Sequence, residues 1–140
     1  MSPARRVKTR TQPCTPEQAH KRLADARKFL ELAELAGEES DVTSFNVAAA
    51  NAALAGIAAA DAACCRALGE RSRGEDHRDA IALVAQVSPG GPQAANALGR
   101  LLALKNNAEY GLTGLSRANR EAALRQAHKL VEFAEAVLRR

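Results

Sequence analysis

The segment SFNVAAANAALAGIAAADAACCRALG, residues 44–69, decides the fold of this 140-residue chain. Alanine is the strongest helix former, so the segment predicts a helix from about Asp41 to Leu68. Small side chains recur along this helix at three- and four-residue steps, at Ala48, Ala52, Gly56, Ala59 and Ala63. Such a stripe allows a neighbouring helix to approach closely. We therefore expect the helix to lie at the centre of a helical bundle.

A segment this rich in alanine also raises the question of a membrane span. Asn51 and Asp61 interrupt its run of apolar residues. Alanine is too weakly apolar to offset the cost of a carboxylate inside a bilayer. We therefore expect no membrane span and no membrane partner.

The rest of the chain predicts four further helices. The first begins at Thr15, where a threonine cap is followed by Pro16 in the first turn, and it ends at Gly37. The third ends before the break SPGGP at residues 88–92, and the fourth follows that break. Ser116 caps a last helix that reaches the C-terminus.

These patterns predict the fold class and the domain organisation. No segment shows the apolar–polar alternation of a strand, and the connections are mostly short. We therefore predict an all-α fold, an antiparallel up-and-down bundle of about five helices, forming a single domain over residues 15–140. Alanine and arginine usage also suggests a GC-rich bacterial genome.

The net charge of +4 is located in the first fourteen residues. Four of the 20 Lys and Arg residues lie there without an acid, which leaves 16 basic residues against 16 Asp and Glu in the remaining chain. We predict a disordered, solvated basic tail over residues 1–14; contact with phosphates or anionic lipid is the alternative.

The three cysteines, Cys14, Cys64 and Cys65, do not have the spacing of metal ligands. Cys64 and Cys65 are adjacent on the predicted central helix, and we interpret them as small buried hydrophobic residues. An odd cysteine count without a CxxC motif or an apolar signal segment fits a reducing compartment. We therefore expect a cytoplasmic protein with no metal site and no cofactor.

Asp61 is a candidate site residue because it lies within the small-residue helix. A carboxylate that is buried there must be paired or hydrogen-bonded. A hydrogen bond that locks the bundle and a functional carboxylate are both open interpretations.

A second candidate is the segment RSRGEDH, residues 71–77. Arg71 and Arg73 are suited to phosphate contact, and His77 is suited to proton transfer near neutral pH. Acidic residues in the same segment neutralise this charge, so a solvated loop that leads into a helix is the alternative interpretation.

The third candidate is LKNNAEYG, residues 104–111. Lys105 and Glu109 have the spacing of a helical ion pair, and Asn106 and Tyr110 share a face. By residue type alone the segment is the polar end of a helix.

Taken together, three features of the chain resemble the HEPN domain family (higher eukaryotes and prokaryotes nucleotide-binding). They are the alanine-rich helix ending in RALGERSRGEDH, the AEYG at residues 108–111, and the following helix with the pattern S…EAAL…A…LVEFA. The resemblance covers roughly residues 45–138. It implies an up-and-down helical bundle, a homodimer, RNA or a nucleotide as ligand, and a nucleotidyltransferase-like antitoxin as partner.

Many members of that family are ribonucleases or toxins that use an arginine followed, after four to six residues, by a histidine. At the corresponding place this chain has Lys105 and Tyr110. Lysine lacks the planar fork of arginine, and tyrosine is a poor base with a pKa of about 10. Arg71 and His77 have the required spacing, but they lie in the connection between the second and third helices.

We therefore predict a HEPN-like binding or accessory module of a toxin–antitoxin-like or defence system, without robust catalysis. Its predicted binding residues are Asp61, Arg73, His77, Lys105, Asn106 and Tyr110. One alternative is a metal-independent endoribonuclease that uses Arg71 and His77, assisted by Lys105. The other is a purely structural interaction protein.

Overall fold

The structure, a computed structural model, describes residues 10–73, 76–110 and 115–140, with every side chain there except those of residues 107–110. This part of the chain forms five helices, α1 (Pro16–Gly37), α2 (Val42–Leu68), α3 (His77–Val84), α4 (Gly91–Tyr110) and α5 (Arg117–Leu138). It also contains two short strands, β1 (Thr11–Pro13) and β2 (Glu70–Ser72). The predicted all-α bundle is confirmed.

Local side-chain caps explain where the long helices begin. The Thr15 hydroxyl accepts a hydrogen bond from the backbone N–H of Gln18 at 3.2 Å, and the Gln18 Oε1 in turn accepts one from the backbone N–H of Thr15 at 2.9 Å. Asp41 caps α2, and Ser116 caps α5 with the same reciprocal pattern as Thr15. Each cap satisfies backbone donors that the first helical turn leaves without partners. The predicted starts of these helices are confirmed.

Helix α2 is the centre of the bundle, in contact with α1, α4 and α5. The small residues of its predicted stripe are all buried, and Gly56 lies against Leu98 and Leu101 of α4 and Leu130 of α5. By length and apolar composition α2 is the one helix in the described residues that could cross a membrane. However, 72% of its most apolar window is buried inside the bundle, as in the core helix of a folded domain.

Strands β1 and β2 form an antiparallel pair that the sequence analysis did not predict. Gln12 is opposite Arg71 in this pair, and flanking hydrogen bonds extend it from Arg73 N to the Arg10 carbonyl and from Cys14 N to the Gly69 carbonyl, both at 3.0 Å. The prediction of a disordered tail up to residue 14 is therefore wrong for residues 11–14. Three-residue strands are too short to show periodicity, and their pairing joins segments far apart in sequence.

Candidate functional site

Asp61 is the buried centre of a charged cluster that joins α1, α2 and β2. Its Oδ2 accepts a hydrogen bond from Arg22 Nε at 3.2 Å, and Arg71 Nη1 lies 3.7 Å from the same oxygen. Only 7% of the Asp61 side chain is exposed, against 29% for Arg22 and 36% for Arg71. This geometry matches the interpretation of Asp61 as a residue that locks the bundle, because its carboxylate is already bonded to a neighbouring helix.

Burial sets the electrostatics of Asp61. It disfavours the charged carboxylate and raises the pKa of Asp61 above its usual value of 3.8, although Arg22 and Arg71 act in the opposite direction. Asp25, one helix away, is more exposed, and its hydrogen bond from Lys21 at 2.7 Å lowers its pKa. Folding therefore shifts the pKa values of these two carboxylates in opposite directions, upwards for Asp61 and downwards for Asp25.

An open cavity of about 410 Å³ lies over this cluster. We call it the polar cavity; its lining residues are Gln12, Gln18, Lys21, Arg22, Asp25, Cys65 and Arg71. With its amide oxygen turned towards Arg71, Gln12 accepts a hydrogen bond from Nε at 3.0 Å. Three cations and one carboxylate thus line the cavity, with the Asp61 carboxylate beneath them. Such a surface suits a phosphate contact.

Asp61→Asn is expected to change the pH dependence of stability above pH 3.8. Because folding raises the pKa of Asp61, the folded state binds this proton more tightly than the unfolded state. The free energy of unfolding therefore falls as pH rises from about 3.8 through the raised pKa. The variant should lack this fall. Urea unfolding at a series of pH values measures the effect.

Asp25→Asn is the matched control, because the pKa of Asp25 is lowered on folding. Its contribution to stability is present above pH 3.8 and is lost as pH decreases through the lowered pKa. In this control the free energy of unfolding should still fall as pH rises above 3.8. Its increase with pH below 3.8 should be smaller than in wild type, because the Asp25 carboxylate is missing. Parallel curves for wild type and Asp61→Asn above pH 3.8 would contradict the assignment.

The structure corrects the interpretation of the cysteines. Cys65 forms a disulfide with Cys14, whose Cα lies 5.4 Å away. Cys64 is the buried free cysteine, and burial raises the pKa of its thiol to about 12. Cys65 is buried as expected, but it is not a simple hydrophobic residue. The β1–β2 pairing, which the sequence pattern does not reveal, carries Cys14 to the end of α2.

Of Arg71 and His77, only Arg71 lines one of the two cavities in the described part of the chain. Arg71 lines the polar cavity and contacts Asp61 and Gln12. His77 is the first residue of α3 and lines neither the polar cavity nor the cavity between α4 and α5 that is described below. Arg73 is exposed and also lies outside both cavities. Neither of the two described cavities therefore holds both Arg71 and His77.

The LKNNAEYG candidates lie at the end of α4. Lys105 is half-buried and Asn106 is exposed, and neither lines one of the two cavities. The side chain of Tyr110 is outside the described part of the structure, as are residues 111–114. Lys105 and Asn106 therefore do not line the polar cavity above Asp61.

A second cavity, of about 540 Å³, lies between α4 and α5 and was missed by the sequence analysis. We call it the α4–α5 cavity. Gln126, Lys129 and Phe133 reach it from α5, while Gln93 and Arg100 are among the residues that reach it from α4. The three lining residues of α5 are spaced by three, four and seven positions, and Gln93, Ala97 and Arg100 of α4 have the same spacings, so each set shares one helix face. That spacing is the signal that could have identified them.

Metal binding has no support among the side chains that the structure describes. No group of three His, Cys, Asp or Glu residues there lies close enough together to hold an ion. Comparison of the sequence with protein-family models and with curated proteins finds no match.

Proposed function

We propose that this protein is a HEPN-like helical module that binds RNA or a nucleotide without robust catalysis. In this proposal it serves as an accessory component of a toxin–antitoxin-like or defence system. A homodimer and a nucleotidyltransferase-like partner belong to the same proposal and come from the sequence resemblance alone.

The observation that carries the proposal is the set of cations in the polar cavity. Lys21 and Arg22 from α1 and Arg71 from β2 converge there from separate elements. Lys21 pairs with Asp25 at 2.7 Å but is 74% exposed, so a phosphate in solution can also reach its ammonium. Arginine and lysine near a phosphodiester stabilise its charge and supply the salt-dependent part of nucleic-acid affinity.

The same cavity argues for binding over cleavage. Arg71 is already paired with Asp61, and the described lining residues include no histidine. Metal-independent cleavage of RNA needs a group that transfers a proton within hydrogen-bond reach of the reacting hydroxyl. The described lining residues supply cations that hold a phosphate but lack an imidazole that moves a proton.

Lys21→Ala is expected to weaken binding of single-stranded RNA about five- to tenfold at low salt, because it removes one phosphate contact. The slope of log affinity against log salt should decrease by about 0.7 for the same reason. Lys28→Ala is the matched control: Lys28 is on the same helix, is 68% exposed and pairs with Glu31, but lies outside the cavity. Fluorescence anisotropy with a labelled oligonucleotide measures both variants.

The cleavage alternative is tested in the same reactions. Wild-type protein and His77→Ala are incubated with the labelled RNA, and the products are separated on a gel. We expect intact RNA in both. Cleavage by wild type that disappears in His77→Ala would establish the endoribonuclease instead. Equal RNA affinity of Lys21→Ala, Lys28→Ala and wild type would remove the polar cavity from the proposal, and no RNA binding at all would favour the purely structural role.

A further inference from the structure

The Cys14–Cys65 disulfide fastens strand β1 to the central helix. Cys14 follows directly after β1, and Cys65 lies in the last turn of α2. Among the described elements, β1 packs mainly against β2. A pair of such short strands is only marginally stable in water without further packing. Apart from the chain that leads into α1, the disulfide is therefore the covalent link that holds β1 in place.

Strand β1 also completes one wall of the polar cavity. Gln12 accepts a hydrogen bond from Arg71 Nε at 3.0 Å, and Thr11 Oγ1 donates one to Glu70 Oε2 at 3.3 Å. Gln12, Cys65 and Arg71 all line the cavity. Release of β1 would therefore take Gln12 out of this wall and remove one acceptor from the Arg71 guanidinium.

The two sulfur atoms of the disulfide have different surroundings. Cys65 is only 3% exposed, whereas Cys14 is half-buried, so an external thiol reaches the Cys14 sulfur more easily. Cys65 shares the lining of the polar cavity with three cations, Lys21, Arg22 and Arg71. These cations outnumber the two carboxylates that pair with them. Nearby positive charge stabilises a thiolate, so Cys65 is suited to be the leaving group when Cys14 is attacked.

The third cysteine cannot supply the reducing thiol. Cys64 is next to Cys65 in sequence, but it is buried, and burial raises the pKa of its thiol to about 12. At neutral pH the thiol is therefore protonated, and only a thiolate attacks a disulfide. The electrons that break the Cys14–Cys65 bond must come from a thiol outside the chain.

We propose that the Cys14–Cys65 disulfide is a redox switch that an external dithiol operates, and that its reduction releases β1 and uncovers Arg71 in the polar cavity. One thiolate of the dithiol attacks Cys14 Sγ; the S–S bond breaks, and its electron pair leaves with Cys65 Sγ, which takes up a proton. The second thiol of the reductant then attacks the mixed disulfide and releases Cys14. The protein gains two electrons and two protons, and the dithiol becomes a disulfide. An oxidised dithiol of the same class reverses the exchange.

Backbone dynamics of the full chain test the release of β1. Order parameters from ¹⁵N relaxation are measured for the oxidised protein and after reduction with dithiothreitol without denaturant. In the oxidised protein the amides of Gln12 and Cys14 should have values near about 0.85, as in rigid backbone. After reduction both should fall below about 0.6, while the amides of α4 and α5 keep their values.

Chemical modification tests the exposure of Arg71. Phenylglyoxal reacts with accessible guanidinium groups, and mass mapping of peptides gives the rate for each arginine. Arg71 should react about threefold faster in the reduced protein, because it has lost the hydrogen bond to Gln12. Arg125 is the internal control: it is exposed on α5, lies outside the polar cavity and should react at the same rate in both states.

Two variants separate the switch from a general effect of reductant. Cys14→Ser should have the low order parameters of the reduced state with and without dithiothreitol. Cys64→Ala should respond as wild type does, because Cys64 is not part of the disulfide. If Cys14→Ser does not fold, reduced wild type provides the same comparison.

Three results would overturn the proposal. A bond that dithiothreitol breaks only after urea has unfolded the helices is a structural disulfide. Order parameters of Gln12 and Cys14 that stay high after reduction mean that the strand pair holds β1 without the bond. An unchanged modification rate of Arg71 means that reduction does not alter the polar cavity. None of these measurements uses RNA, so their outcome is independent of the proposed function.

Discussion

Gly56→Leu is expected to lower the free energy of unfolding by about 3 kcal/mol. A Cβ at this position of α2 would lie 2.5 Å from Leu101 Cδ2 and 3.0 Å from Leu130 Cδ1. Both leucines are fully buried, so they have little room to move away. A larger side chain must therefore push α4 and α5 away from α2 and disrupt their packing. Urea unfolding monitored by circular dichroism measures the change.

Gly99→Ala is the matched control for this prediction. Gly99 lies inside α4, and a Cβ there would meet its nearest neighbour, Ile81 Cδ1, at 3.9 Å, an ordinary contact distance. Alanine has a higher helix propensity than glycine, so this variant should gain about 0.5–1 kcal/mol of stability. If Gly56→Leu were as stable as wild type, α2 could not be packed as closely against α4 and α5 as the structure shows.

Cys14→Ser is expected to lower the stability of the oxidised protein by about 4 kcal/mol at most. The disulfide from Cys14 to Cys65 spans 51 positions and encloses α1 and most of α2. Closing a loop of this length restricts the unfolded chain, and the serine variant regains that freedom. Thermal unfolding of wild type and variant, each with and without dithiothreitol, measures the effect.

Reductant and a second cysteine variant control this experiment. Dithiothreitol should lower the Tm of wild type towards that of Cys14→Ser and leave the Tm of Cys14→Ser unchanged. Cys64→Ala should remain sensitive to dithiothreitol, because Cys64 is not part of the disulfide. A wild-type Tm that is identical in both buffers would mean that the Cys14–Cys65 bond is absent or makes no contribution.

Features that depend on nearby residues were predictable from the sequence. The helix starts at Thr15, Asp41 and Ser116 depend on side chains that reach backbone N–H groups within three residues. The central position of α2 follows from its run of small residues, since only side chains of that size allow helices to approach it on several sides. These interactions are local or compositional, so a pattern reveals them.

The candidate sites were only partly predictable. Asp61 and Arg71 stood out by residue type and location, whereas their partners Arg22 and Gln12 did not. An arginine on an amphipathic helix has the same pattern whether it faces solvent or a carboxylate on a neighbouring helix. Only the packing of α1 against α2 determines that the Arg22 side chain contacts the Asp61 carboxylate.

By itself, the sequence determined the helices, their caps and the close packing around α2. The tertiary structure alone decided the β1–β2 pair, the Cys14–Cys65 disulfide, the cations around Asp61 and the cavity that holds Gln126. The physical reason is the range of the interactions. Helix propensity and capping act within a few residues, whereas each of these sites forms only when segments distant in sequence are brought into contact by packing of the bundle.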